Sequence, residues 1–310
     1  MTLDTGLHFN IPAPAYHADP APQPSLSSSV ARTILAKSLA HAYAEHPRLG
    51  GTADKDTTDH MDTGSLVHAL LADTVKNEIE VRDFPNFRSK AAQEWAASVR
   101  ASGKTPALEG DLDAARKIAE AVKAKAAIGI TEDPLTLGQP EATAIWQKDG
   151  IYFRARFDRL IAPTDAPCTI WDWKVTGDVS VAEVKRKFRR FGYHLQAAHY
   201  LAALDALFPA FRGRHSFVFV FVEDAPPYSV RRYCLKSDTL TVARIDMDEA
   251  HRLWIGAMKS GIWPDASRPE TRNGTGSLDL MFSERGESQS PSPRRRRVKN
   301  KSAVERKLAL

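Results

Sequence analysis

The chain has 310 residues, 43% hydrophobic and 26% charged, enough apolar material for one large domain with appendages. Its formal net charge is +5, but the segment 285–310 alone carries nine Lys or Arg against Glu287 and Glu305, so the rest of the chain is slightly acidic. Charge therefore excludes reading the body as a nucleic-acid binder on basicity alone, and two cysteines, Cys168 and Cys234, exclude a disulfide framework or an iron–sulfur cluster.

No uninterrupted apolar run is long enough for a transmembrane helix, and the start lacks a basic stretch followed by an apolar one. A cytoplasmic protein with reduced thiols and no membrane partner is expected. Five prolines between Pro12 and Pro24 predict that residues 1–25 are extended and loosely attached. Ser-Leu-Ser-Ser-Ser (25–29) then offers N-caps to one helix running to about Ala44. After a polar loop, GSLVHALLAD (64–73) repeats Leu and Val at i, i+4 and predicts a short buried helix carrying His68. Residues 88–128, rich in Ala, Lys and Glu, predict two helices separated by SGKTP.

The period then shortens. ATAIWQ (142–147), IYFRARFDRLI (151–161) and CTIWDWKV (168–175) predict a three-stranded antiparallel meander. VAEVKRKFRRFGYHLQAAHYLAALDALF (181–208) predicts helix broken near Gly192, followed by strands in RHSFVFVFVE and YSVRRYCL and a last helix over 239–261. The order gives an α/β (α+β) sandwich around one mixed sheet, with a single domain over 26–265 and a coreless basic tail over 266–310.

The chemistry concentrates in RFDRLIAPTDAPCTIWDWKVT. Asp172 and Lys174, two apart on a strand, leave the same face among the apolar Ile170, Trp171 and Trp173. Charges there are costly unless they face a site. A hairpin would bring Asp158 beside Asp172, and paired carboxylates invite a divalent cation. An adjacent lysine would orient or help deprotonate water, or stabilise a developing phosphorane charge. Asp-x-Lys also arises by chance, and a lone His on an apolar helix is usually a hydrogen-bonded core residue.

Together, GSLVHALL, Glu141, RARFDRL, TIWDWKVT and GYHLQAAHYL resemble the PD-(D/E)XK nuclease superfamily, with the nearest likeness to RecE-like exodeoxyribonucleases and related phage proteins. AYHADP and the Ser-capped helix after it are similar to the start of that group's nuclease domain, and the resemblance covers about residues 15–265. It implies a restriction-endonuclease-like sheet flanked by helices, with the nuclease domain over 26–265. It also implies a metal held by His68, Asp158 and Asp172, with the Val175 carbonyl as a further ligand and Lys174 as the catalytic lysine. Glu141 matches an acidic position that supports the ligands or the metal's water; the alternative is a solvated loop carboxylate. Gln196 and Tyr200, on one helix at i, i+4, match the motif that supports the active site and contacts DNA, and Tyr193 begins it. Phe157 stands where the superfamily's name has Pro, a departure that RecB-type branches share.

Lys185, Arg186, Lys187, Arg189 and Arg190 crowd into six positions ahead of that motif and are candidate phosphate contacts; the alternative is a solvated helix face. The RRRRVKNK tail would add non-specific DNA affinity or dock a partner. SGKT lacks the first glycine of a P-loop, Ser98 standing in its place, and DKDTTDHMD (54–62) does not fit an EF-hand. The resemblance implies a Mg²⁺-dependent, or Mn²⁺-dependent, exodeoxyribonuclease on linear duplex DNA in recombination or phage DNA processing. A homo-oligomeric ring and a single-strand annealing partner come with that reading. A structure-specific endonuclease and a non-catalytic DNA-binding protein are the competing expectations.

Overall fold

The computed structural model describes residues 1–51, 63–126, 128–129, 133–265 and 283–284. In chain order the first half comprises β1 (Gly6–His8), α1 (Ala13–His17), β2 (Ser25–Leu26), α2 (Ser28–Ala36), α3 (Leu39–Glu45), α4 (Thr63–Ala72) and α5 (Val75–Glu78). β3 (Ile79–Arg82), α6 (Lys90–Ala101), β4 (Thr105–Leu108), α7 (Glu109–Lys125) and α8 (Pro134–Leu137) follow. The second half contains β5 (Gln139–Lys148), β6 (Ile151–Ile161), β7 (Thr169–Thr176), α9 (Val181–Phe191) and α10 (Tyr193–Leu207). It closes with β8 (Ser216–Glu223), β9 (Val230–Cys234), α11 (Ser237–Ser260) and the short β10 (Ser283–Glu284).

The main sheet runs β1-β5-β6-β7-β8-β9-β10, with β2 paired to β6 off this path. β7 and β8 are parallel and joined through α9 and α10; the other links along the path are antiparallel. The β5–β6 hairpin turns at Asp149 and Gly150, whose φ values of +54° and +79° suit the tight turn that matches strand twist. β8 is apolar in every position from Phe217 to Val222 because both its faces are covered. Phe217, Phe219 and Phe221 pack toward α9, α10 and α11, while Val218, Val220 and Val222 pack toward α4 and α7. Each such side chain contributes about 1.5–3 kcal/mol by leaving water.

Three expectations need correction. The N-terminal segment 1–25 is not loosely attached: β1 pairs with β5, and Leu3, Ile11, Tyr16 and Ala21 pack with Ile145 in a cluster of their own. The prolines set the turns of a docked segment, whose Asp19 carboxylate is buried and receives Ser25 N–H at 2.9 Å and Ser25 Oγ at 2.5 Å. Second, the helix expected to run to Ala44 is two, because the Ser38 side chain accepts His41 N–H and starts α3 afresh. Third, the link between the two Ala-rich helices holds β4, which pairs in parallel with β3. The DKDTTDHMD segment and all of the basic tail except Ser283–Glu284 lie outside the described residues.

Candidate active site

The site lies where the sheet divides. β5 pairs with β6 along nearly its whole length, but the other edge of β6 is shared. β2 takes Tyr152 and Phe153, β7 takes Arg159 to Ile161, and the positions 154–158 between them have no strand partner on that edge among the described residues. Side chains fill the gap. The Asp158 carboxylate accepts the Trp173 N–H at 2.8 Å. The Arg154 carbonyl faces His199 Nε2 at 3.0 Å, so that nitrogen donates, and His199 Nδ1 accepts from His251 Nε2 at 3.0 Å. Burial drives His199 down to about 4, so it is neutral at physiological pH.

Three donors converge beside this fork. α4 brings His68 Nδ1 to 3.3 Å from Asp158 Oδ2. Glu141 stands between the ladder pairs Pro140–Arg159 and Ala142–Phe157 with a φ of +49°, a left-handed backbone uncommon for a residue with a side chain. One ligand atom each from His68, Glu141 and Asp158 lies within 4.8 Å of the others. Electrostatics ties the group together. Burial would lower His68, but the Asp158 charge and hydrogen bond override it and raise the imidazole to about 9. Burial would raise Asp158, yet His68, Lys174 and the Trp173 N–H hold it below its ordinary value. Glu141 is raised, first by burial and then by Asp158, although Arg156 Nε donates to its carboxylate.

Asp172 is not one of the three. Its Oδ1 accepts from Gln196 Nε2 at 2.8 Å, and its Oδ2 sits 2.5 Å from Lys174 Nζ. Complete burial raises its carboxyl to about 6 despite Lys174, and Asp158 adds to the rise. Lys174 moves up: burial lowers it, but Asp172 and Asp158 outweigh that, so it is an ammonium at neutral pH. Its Nζ stands 4.9 Å from the Tyr193 ring centroid, a cation–π contact that sequence reading missed because the two residues belong to separate elements. Gln196 also lies beside the Tyr200 hydroxyl, and Tyr200 packs edge-on to Phe157 at 5.3 Å. Val175, in register with Val222, continues β7 beyond Lys174.

A cavity of about 460 Å³ opens on His68, Glu141, Asp158 and Tyr200, and the N-terminal segment supplies Ala13, Tyr16 and His17 to its wall. Tyr16 lies under two guanidiniums, with Arg154 and Arg156 each 5.8 Å from its ring centroid. The basic run forms α9, which Ser180 caps at one end and Gly192, at φ +65°, ends at the other. Val184 and Phe188 are its buried face, so Arg186, Arg189 and Arg190 are exposed and Lys185 and Lys187 half-buried. Arg186 is paired with Glu183 at 2.8 Å.

The profile of the PD-(D/E)XK nuclease superfamily matches residues 25–268. The chain belongs to that superfamily. It is thus a nuclease, a phosphodiester hydrolase acting on DNA, and PD-(D/E)XK nucleases depend on divalent metal ions. Its donors fit such an ion: two carboxylates offer hard oxygens, and a single imidazole is compatible with them. No curated protein matches the chain. Among solved structures, a candidate exonuclease from Eubacterium rectale is 12% identical with a TM-score of 0.53, covering 89% of this chain and 97% of its own. That likeness concerns the PD-(D/E)XK fold, a central sheet flanked by helices. SSO0001, at 11% identity and a TM-score of 0.27, covers 61% of this chain and 84% of its own and is too different in shape to bear on it. No helix among the described residues is long and apolar enough to cross a membrane.

Proposed function

We propose that this PD-(D/E)XK nuclease is a Mg²⁺-dependent exodeoxyribonuclease on linear double-stranded DNA, with Mn²⁺ able to substitute. The observation that carries the reading is the convergence of His68, Glu141 and Asp158 within 4.8 Å beside the Asp172–Lys174 pair. In this reading His68, Glu141 and Asp158 would hold the ion, with Asp172 as a further carboxylate beside them. A bound dication supplies positive charge at the scissile phosphate and makes water more acidic there.

The chain's own groups do the rest. Lys174, already an ammonium, stabilises charge that develops on the phosphoryl oxygens and is not the base. Gln196 fixes Asp172, Tyr200 fixes Gln196, and Tyr193 limits the reach of Lys174. Lys185, Arg186, Lys187, Arg189 and Arg190 on α9 bind the backbone of the duplex next to the site. A ring of subunits around the DNA and a single-strand annealing partner belong to the same reading, as does a role in recombination or phage DNA processing. They rest on the likeness to RecE-like exodeoxyribonucleases.

Digestion of linear and covalently closed plasmid DNA with Mg²⁺ tests it. Loss of the linear form alone, abolished by EDTA and by Asp172→Ala, is expected. Cutting of the closed circle would make the protein an endonuclease, and DNA binding without any cutting would leave a binding protein on a nuclease scaffold.

A further inference from the structure

Arg156 lines the same cavity as His68, Glu141 and Asp158 and also a second cavity of about 640 Å³ that continues past Pro140 and Thr105. It stands two residues before Asp158 on β6, a strand held by β5 along its length, so its backbone is fixed relative to the donor group. Its Nε donates to Glu141, and the Tyr16 ring lies beneath the guanidinium. Its Nη1, shielded from solvent, has no hydrogen-bond partner among the described residues. A buried, unmatched N–H on a cation is costly unless something else occupies it, and a planar guanidinium is the shape that a phosphate matches with two parallel bonds.

The charges of the site point the same way. Glu141 is the carboxylate that Arg156 neutralises, and it is also one of the three donors offered to a metal ion. A dication sharing Glu141 would take part of the guanidinium's countercharge and leave its unmatched edge to the next anion available. Beside a nuclease metal group that anion is a phosphate of the DNA.

We propose that Arg156 is a substrate-contact residue, binding a non-bridging oxygen of a DNA phosphate adjacent to the His68–Glu141–Asp158 group. This deepens the nuclease reading and rests on it. Arg156 is then pre-positioned by Glu141 on one side and by Tyr16 below. The docked N-terminal segment thereby takes part in substrate binding.

The test is equilibrium binding to short duplexes, in Ca²⁺ so that turnover does not interfere, each carrying one neutral methylphosphonate at a successive position from the end. For the wild type, one position is expected to weaken binding about ten- to hundredfold, the range of a charge-assisted hydrogen bond. In Arg156→Gln the same substitution should cost little, because the interaction is already gone. Arg156→Lys should give an intermediate loss. Mn²⁺ titration without DNA gives the second readout, with Arg156→Gln expected to bind Mn²⁺ as tightly as the wild type or more tightly. An unchanged methylphosphonate profile in Arg156→Gln, or weakened Mn²⁺ binding with that profile intact, would overturn the proposal and leave Arg156 as a strut for Glu141. If Arg156→Gln does not fold, the Arg156→Lys profile decides between the same two results. A wild type that binds no duplex at all would sink the nuclease reading itself, a result distinct from either.

Discussion

Asp158 takes the Trp173 N–H at 2.8 Å at the point where β6 and β7 stop pairing, their last bridge being Arg159–Trp171. One carboxylate therefore does two jobs. It replaces a backbone ladder bond, and it offers its oxygen to His68 and to the metal group.

Asp158→Asn separates those jobs. Asparagine still accepts the Trp173 N–H but lacks the charge, so cleavage should fall by at least about a hundredfold while the loss in urea stability is confined to the His68 pairing. Asp158→Ala should lose cleavage equally and cost an additional ~1–3 kcal/mol, the penalty for a buried N–H without an acceptor. Equal stability of the two variants would mean the Trp173 contact is not structural.

Binding of a metal ion should release a proton from His68. The Asp158 pairing keeps that imidazole charged up to about pH 9, and a ligand must be neutral. Mn²⁺ affinity is therefore expected to rise with pH by up to about tenfold per unit between pH 7 and 9. Calorimetry in two buffers of different ionisation enthalpy counts the protons; no release at pH 7 would remove His68 from the ligand set.

Arg159 positions His68 without touching it. Its Nη2 donates to the Leu71 carbonyl in the last turn of α4 at 2.5 Å, and its Nη1 to the Gly138 carbonyl at 3.1 Å. This anchors the His68 helix to β6 by a cation at a helix C-terminus, where the dipole favours it. Arg159→Met should cost about 1–3 kcal/mol in urea unfolding and also weaken Mn²⁺ binding. A loss of stability with unaltered Mn²⁺ affinity would confine the residue to folding.

The neutral His199–His251 pair makes the fold sensitive to acid. His199 sits at about 4 in the folded chain against about 6.5 when unfolded, so the unfolded state binds the extra proton between those values. Its stabilising contribution is complete above pH 6.5 and is lost as pH falls toward 4, up to roughly 3 kcal/mol. Thermal midpoints should drop steeply from pH 6.5 to 5, and a flat profile there would contradict the buried neutral pair.

The cations of α9 should set the salt dependence of DNA binding. Replacing Lys185, Lys187 and Arg190 together with Gln is expected to reduce the slope of log affinity against log salt, by about 0.9 for each phosphate no longer engaged. An unchanged slope would place the backbone path elsewhere.

Much of this architecture was legible in the residues. Alternation over 142–175 located the three strands, and Gly192 marked the helix break that the structure places at its left-handed φ. The i, i+2 spacing of Asp172 and Lys174 put them on one strand face, where their side chains meet, and helical spacing likewise aligned Gln196 with Tyr200. What the sequence concealed depends on contacts between distant segments. Proline counting suggested a loose N-terminus because nothing local announces that Tyr16 will meet Arg154 and Arg156, which lie in the other half of the chain. A carboxylate pair on adjacent strands suggested that Asp158 and Asp172 share one ion. Nothing local in the sequence shows that Gln196 and Lys174 stand against Asp172, or that Glu141, already a candidate for the metal's surroundings, reaches Asp158 through a left-handed backbone.

The shared edge of β6 also dictates an order of assembly. The β5–β6 hairpin closes through a tight turn and is a local event on the microsecond scale. β2 must come to the same strand from far upstream, so its loop-closure entropy is offset only after the hairpin exists to receive it. β7 and the helix carrying Gln196 are still later in synthesis. A nascent chain thus cannot bring its carboxylates, its lysine and the Tyr16 wall together until everything from Tyr16 to Tyr200 is available.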